Sequence, residues 1–358
     1  MKKFYKVLVV SLLAGPALAG SPGPAPRLLV TPGAETTLYE RKRTILKVYD
    51  VGSKEQLAID NQFGQVRVAV WNKDEIRVQI TITAKASSSE ERAQRYLDAV
   101  NIIEKRAGEQ ISLKTDISSA GNNWSNQKGD ENFIRIDYDV SMPRTNALSV
   151  RNRFGNTDIA AFQAPLTVYQ RYGNFSANEL SGSANDIDVA YGSALIRQLE
   201  QGKLDIAYSS LDLERANVVT LVNKFGKLKI GEVGKLDAQI GYSGARIGTL
   251  RESAKIKLDF SGGFRIEQFG KSADDVTIKA SYSSVTLPVS AEADCNFDVT
   301  VSYGGFHYPN INNISFTAQP SDEPRSGPKN TKQYAGKIGR GTGPKIRVVS
   351  TYGSVSFK

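Results

Sequence analysis

In 358 residues the sequence has one cysteine, one histidine, two tryptophans and two methionines. A His/Cys zinc site cannot be built within one chain from His307 and Cys295 alone. Any catalytic triad that uses histidine would have to use His307. Cys295 has no partner for an intramolecular disulfide, so in an oxidising compartment packing alone must hold the fold. No run of about 18 apolar residues follows the N-terminal segment, so no transmembrane helix is expected. Glycine is frequent, at 31 residues, but not at every third position, which excludes collagen. The 40% hydrophobic content excludes global disorder and suffices for one large or two ordinary domains.

Met1 to Ala19 reads as a secretory signal peptide. Lys2, Lys3 and Lys6 form a basic start, Val7 to Ala14 a short apolar run, and Ala17-Leu18-Ala19 a small-x-small cleavage site. Its removal takes three lysines and no acid, so the net charge falls from +9 to +6. No cysteine follows the cleavage site, which gives lipid anchoring no support. The expected location is the periplasm, the cell surface or outside the cell. Residues 20–45, with Pro22, Pro24, Pro26 and Pro32, read as an extended linker.

An internal repeat organises the rest. An aromatic followed by Gly or Ser recurs at Phe63, Phe154, Tyr172, Tyr191, Tyr208, Phe225, Tyr242, Phe260, Tyr282, Tyr303 and Tyr352. From Phe154 to Tyr303 the interval is nearly constant, and from Tyr191 through Tyr208 and Phe225 to Tyr242 it does not change at all. Apolar residues lie two and four positions before the aromatic, as in Leu204 and Ile206. They recur three and five positions after it, as in Leu211 and Leu213. Each unit is therefore a strand, a bend at the Gly or Ser, a second strand and a return turn. This pattern predicts an all-β chain. Its architecture is a parallel β-solenoid of about 18-residue rungs, favoured over a β-sandwich or a membrane β-barrel. Phe154, Tyr172, Tyr191, Tyr208, Phe225, Tyr242 and Phe260 should form one column. Truncating Phe225 should cost about 3–5 kcal/mol if its ring is buried.

Residues 46–150 read as an N-terminal cap of strands and one helix, and 151–358 as the solenoid. Ser88 and Glu91 form a capping box. Ala93, Tyr96, Leu97, Val100 and Ile103 then share a helical face, with Gly108 as the stop. A polar loop is expected from Ser118 to Asn132, and a strand from Phe133 to Met142. Residues 318–344 read as an aperiodic basic loop, and Lys345 to Lys358 as a last repeat that closes the end.

These residues carry a resemblance. Asn61-Gln62-Phe63-Gly64-Gln65-Val66-Arg67-Val68 precedes Trp71-Asn72-Lys73-Asp74-Glu75-Ile76-Arg77-Val78. A Ser/Glu-opened helix, Met142-Pro143-Arg144, Asn152-Arg153-Phe154-Gly155-Asn156 and serial Tyr-Gly units follow. From about Leu57 to Lys358 the sequence resembles the bacterial putative-adhesin β-strand-repeat envelope family, related to the head GIN domain group. The resemblance implies a secreted, non-enzymatic, solenoid-like domain.

The chemistry is sparse. His307 reads as a solvent-facing strand residue and Cys295 as an inert thiol. Gly339-Arg340-Gly341-Thr342-Gly343 lacks the Gly-Lys-Ser/Thr ending of a phosphate loop. Three Asn-x-Ser triplets, at Asn123, Asn174 and Asn313, read as chance matches. Asp186 and Asp188, with Asp205 and Asp212 in the next unit, are the best candidates for paired glycosidase carboxylates. The simpler reading of them is solvated strand faces.

No cofactor, metal site or catalytic residue is assigned. Arg325, Lys329, Lys332, Lys337, Arg340, Lys345 and Arg347 form a basic segment without an acid. It is expected to stay mobile and to attract an anionic glycan, a lipid head group or a surface protein, but not nucleic acid. The sequence thus points to an exported, non-catalytic adhesin or envelope scaffold. The alternative is a secreted polysaccharide lyase or hydrolase.

Overall fold

The computed structural model describes residues 38–117, 132–289, 293–310, 312–320 and 330–358. The expected signal peptide and the Ser118–Asn132 loop, apart from Asn132 itself, lie outside these residues. Leu38–Lys358 forms one compact unit. It is nearly all β, with one helix among the described residues and 25 strands in one mostly parallel sheet. No helix among them is long and apolar enough to cross a membrane.

Alternation explains the strands. In Ser210–Lys224, Leu211, Leu213, Ala216, Val219 and Leu221 are buried, while the residues between them are mostly exposed. Parallel pairing carries that phase from unit to unit. Ser193 faces Ser210, Ser210 faces Lys227, and Lys227 faces Gly244. One apolar column therefore runs through Ile187, Leu204, Leu221, Ala238, Ile256, Ile278, Val348 and Val299. Full burial of each large aliphatic in it contributes about 1.5–3 kcal/mol. Exposed ion pairs give about 0–1 kcal/mol, so the interior column dominates stability.

Both ends of the parallel array meet antiparallel strands. At one end Glu75–Ala86 pairs with Phe133–Pro143 and with Tyr39–Asp50. At the other, Thr331–Ile338 pairs with Cys295–Ser302 and with Ile314–Ala318. These pairings cover edges that would otherwise present unpaired N–H and C=O groups.

Four expectations change. The linker stops short of residue 45, because Tyr39 begins a strand. The helix is Glu90–Asp98, capped by Ser89, whose Oγ accepts the Arg92 N–H at 3.2 Å. Its buried face keeps Ala93, Tyr96 and Leu97 but loses Val100 and Ile103. The β-branched run Val100, Ile102, Ile103 enters the strand Val100–Ala107 instead. Gly108 then supplies the tight turn to Gln110–Ile117 at φ +58°. Within 318–344, Thr331–Ile338 is a strand rather than loop.

Finally, the repeat Lys345–Lys358 does not close the end. Lys345–Thr351 lies between Asp275–Ser281 and Cys295–Ser302, parallel to both. Thr331–Ile338 occupies the far edge of Cys295–Ser302, and the array ends there in an antiparallel pair.

Candidate functional site

The aromatics of the repeat form one uninterrupted column. In spatial order it runs Phe63, Phe154, Tyr172, Tyr191, Tyr208, Phe225, Tyr242, Phe260, Tyr282, Tyr352, Tyr303. Successive ring centroids are 4.8–5.1 Å apart and the rings lie within 12° of parallel. The column faces solvent, with each residue 37–54% exposed. Phe225 is therefore not the buried ring on which the larger truncation cost was conditional. Each interior ring has both faces covered by its neighbours, so solvent meets ring edges and tyrosine hydroxyls. Such a surface offers no free face for a sugar ring to stack on.

The bend sits on the aromatic and not on the Gly or Ser after it. All eleven aromatics have φ between +49° and +65°. That left-handed conformation costs a non-glycine residue about 1–2 kcal/mol. An offset aromatic pair returns about 0.5–1.5 kcal/mol, so stacking roughly cancels the strain.

The residue after the ring has a different task. At Gly155 and Gly173 a Cβ would lie 1.8 and 1.9 Å from the carbonyl oxygens of Gly64 and Gly155, so successive backbones touch there. Where Ser replaces Gly, its hydroxyl does the bonding. Ser209 Oγ donates to Ala207 O and accepts the Gly192 N–H, and Ser243 repeats this with Gly241 O and the Gly226 N–H.

The position two before the ring varies with it at most bends, although Val189 and Val301 precede the Gly bends at 192 and 304. Asn61, Asn152, Gln170 and Asn223 are fully buried carboxamides, and each precedes a Gly bend. Their amides donate inward to backbone carbonyls, Asn152 to Gly64 O at 3.1 Å and Gln170 to Gly155 O at 2.5 Å. Before the Ser bends at 209, 243, 261 and 283 that position is apolar. Sequence reasoning missed this coupling, although the polar residues at an otherwise apolar position signalled it.

Of the candidate carboxylates only Asp212 stands apart. Register places Asp188 beside Asp205, and Asp186 beside Lys203. Arg171 donates to Asp188 at 2.7 Å. Partial burial, with the Asp188 charge next to it, raises the Asp205 carboxyl above its ordinary range. Asp212 follows the Tyr208 bend, on another strand, and pairs with Lys229 at 3.0 Å. Among the described residues no three His, Cys, Asp or Glu side chains gather as metal ligands. His307 is exposed. Cys295 is buried, and burial pushes its thiol up to about 11.

The basic segment also divides. Arg325 and Lys329 lie outside the described residues. Lys332 and Lys337 are exposed on Thr331–Ile338. Arg340 pairs with Asp294 at 3.4 Å. Lys345 and Arg347 project from Lys345–Thr351, on the opposite side of Cys295–Ser302 from Lys332 and Lys337.

No family model matches the sequence, and no curated protein does. Several solved structures are matched at low identity and low TM-score. One is described as a putative cell adhesion protein from Clostridium sporogenes, 10% identical, with a TM-score of 0.20 over 89% of this chain and 99% of that one. Another is a putative adhesin from Bacteroides fragilis, 10% identical, with a TM-score of 0.33 over 88% and 97%. A third is a putative lipid binding protein from Parabacteroides distasonis, 8% identical, with a TM-score of 0.25 over 88% and 96%.

Proposed function

We propose that the chain is an exported, non-catalytic parallel β-solenoid of about 18-residue rungs. Its outward faces bind a partner at the bacterial surface, in the manner of an adhesin or an envelope scaffold. The even register that carries Ser193 onto Ser210, Lys227 and Gly244 in turn supports the solenoid reading. The basic N-terminal start, the short apolar run after it and the Ala17-Leu18-Ala19 motif support export.

The observation that carries the binding role is the open presentation of polar side chains. They stand in columns that cross the strands, and three of the candidate carboxylates, Asp186, Asp188 and Asp212, are each paired with a different cation. A binding surface needs such repetition, whereas hydrolysis needs groups that converge on one bond.

The test is a screen of the protein from Gly20 onward against envelope polysaccharides and lipids, with new reducing ends and unsaturated ends assayed on the same polysaccharides. Retention without cleavage is the expected result.

A second reading, a polysaccharide-degrading enzyme, draws on Asp188 and Asp205, which are side by side with the Asp205 carboxyl raised. Cleavage abolished by Asp205→Asn would establish it in place of the first.

A further inference from the structure

One outward sheet face gathers five cations with carboxylates set between them. Three strands build it: Gly244–Asp259, Asp275–Ser281 and Lys345–Thr351. Register sets Lys257 beside Lys279, Lys255 beside Thr277, and Thr277 beside Arg347. Lys345 follows on the same face, opposite Asp275. Adjacent strands are about 4.8 Å apart, and alternate residues along a strand about 6.7 Å. Five cations thus occupy a compact grid.

Carboxylates stand nearby, since register sets Asp237 beside Lys255 and Asp275 beside Lys345. Lys255, Lys279 and Lys345 make no ion pair among the described residues. Lys257 reaches Asp259 at 3.2 Å, and Arg347 reaches Asp298 only at 4.0 Å. Placing Lys257 and Lys279 side by side is unfavourable unless an anion joins them. A groove of about 360 Å³ runs between these side chains, lined by Asp237, Gln239, Lys255, Lys257, Thr277 and Lys279. Its walls therefore alternate ammonium groups with hydroxyl, amide and carboxylate groups.

We infer that this face binds a carboxylate-bearing polysaccharide, with Lys255, Lys257 and Lys279 as its central contacts and Lys345 and Arg347 at its edge. The inference rests on the binding role proposed above and names its site and ligand class. Lys257 and Lys279 stand one strand spacing apart, and Lys255 lies two residues from Lys257 on the same strand, which suits a polymer that offers more than one carboxylate. Thr277, Gln239 and Asp237 are partners for sugar hydroxyls. A membrane fits less well. Only Val349 among the large apolar side chains is exposed on these three strands away from the aromatic column, so nothing there inserts among acyl chains.

The site was half visible in the sequence. Lys345 and Arg347 belong to the basic segment, but Lys255, Lys257 and Lys279 lie far from it along the chain. Parallel insertion of Lys345–Thr351 next to Asp275–Ser281 brings them together.

The experiment compares three proteins: the unaltered chain, a face variant (Lys255→Gln, Lys257→Gln, Lys279→Gln) and a hairpin variant (Lys332→Gln, Lys337→Gln). The probes are immobilised polygalacturonate, a neutral galactan, and phosphatidylcholine vesicles containing phosphatidylglycerol. The unaltered chain should be retained on polygalacturonate alone. The face variant should bind it at least about tenfold more weakly, and the hairpin variant within about twofold of the unaltered chain. Unshifted thermal midpoints would show that each variant is folded. Equal retention of the face variant overturns the site and leaves the binding role standing. Absence of retention on polygalacturonate overturns the ligand class, and the wider screen then judges the binding role. Preferential vesicle binding replaces the glycan with a membrane.

Discussion

Tyr282 stacks on Tyr352 at 4.8 Å between ring centroids, although Tyr303 is the next aromatic of the repeat along the chain. Tyr303 packs on the other face of Tyr352, also at 4.8 Å. Residues 345–357 are therefore an interior unit, hydrogen-bonded on both edges.

Truncation after Pro344 should release everything from Cys295 onward. Limited chymotrypsin digestion with mass spectrometry should then cut after Phe297, Tyr303 and Phe306, leaving a resistant fragment that ends at or before Phe297. If Lys345–Lys358 were an end cap, Cys295–Ser302 would stay protected.

Phe225 tests the balance in the exposed column. It is 44% exposed and held at φ +56°. Phe225→Ala should cost about 1–2 kcal/mol, since it loses stacking and partial burial without opening a core cavity. Phe225→Gly should be more stable than Phe225→Ala by about 1 kcal/mol, because glycine accepts the left-handed backbone freely. Urea unfolding of both variants measures the difference, and the reverse order would refute a strained bend.

The interior amides and the bend residues should be energetically coupled. A Cβ at Gly173 would lie 2.8 Å from Gln170 Nε2 and 1.9 Å from Gly155 O. Gly173→Ser alone should destabilise by roughly 2–4 kcal/mol. Adding Gln170→Val, which reproduces the pairing of Ile206 with Ser209, should restore at least about 1 kcal/mol of that. A double-mutant cycle with zero coupling would show that the two positions are independent.

Alkali should weaken the N-terminal end through Tyr138. Burial pushes its phenol up to about 12 from the ordinary 10.0, while the hydroxyl bonds Thr115 Oγ1 at 2.9 Å. Between about pH 10 and 12 the unfolded phenol ionises and the folded one does not, so the folded state holds more protons. Stability is then full below pH 10 and falls as pH rises, by up to about 3 kcal/mol. Tyr138→Phe should flatten that part of the stability–pH curve, read by urea titration at each pH.

The strands were legible because alternation fixes which residues face inward, as Leu211 and Leu213 do. The orientation of the aromatic column was not. Each ring sits at the break between two alternating phases, where periodicity assigns neither face. The helix ran too far in the sequence reading because Val100 and Ile103 fit both a helical face and a strand. The placement of Lys345–Thr351 could not be read from chain order, because the strand Cys295–Ser302 precedes it in sequence yet lies beyond it in space. The basic face was hidden for the same reason, since Lys279 and Arg347 meet only through that insertion.

That insertion also imposes an order on synthesis. Units up to Tyr282 can each dock on the one made just before. The unit of Tyr303 has no site to dock on until residues 345–357 have been made and have settled between it and Tyr282. During translation this end has only its own antiparallel pairings to form, and it joins the array in one step when the missing unit arrives.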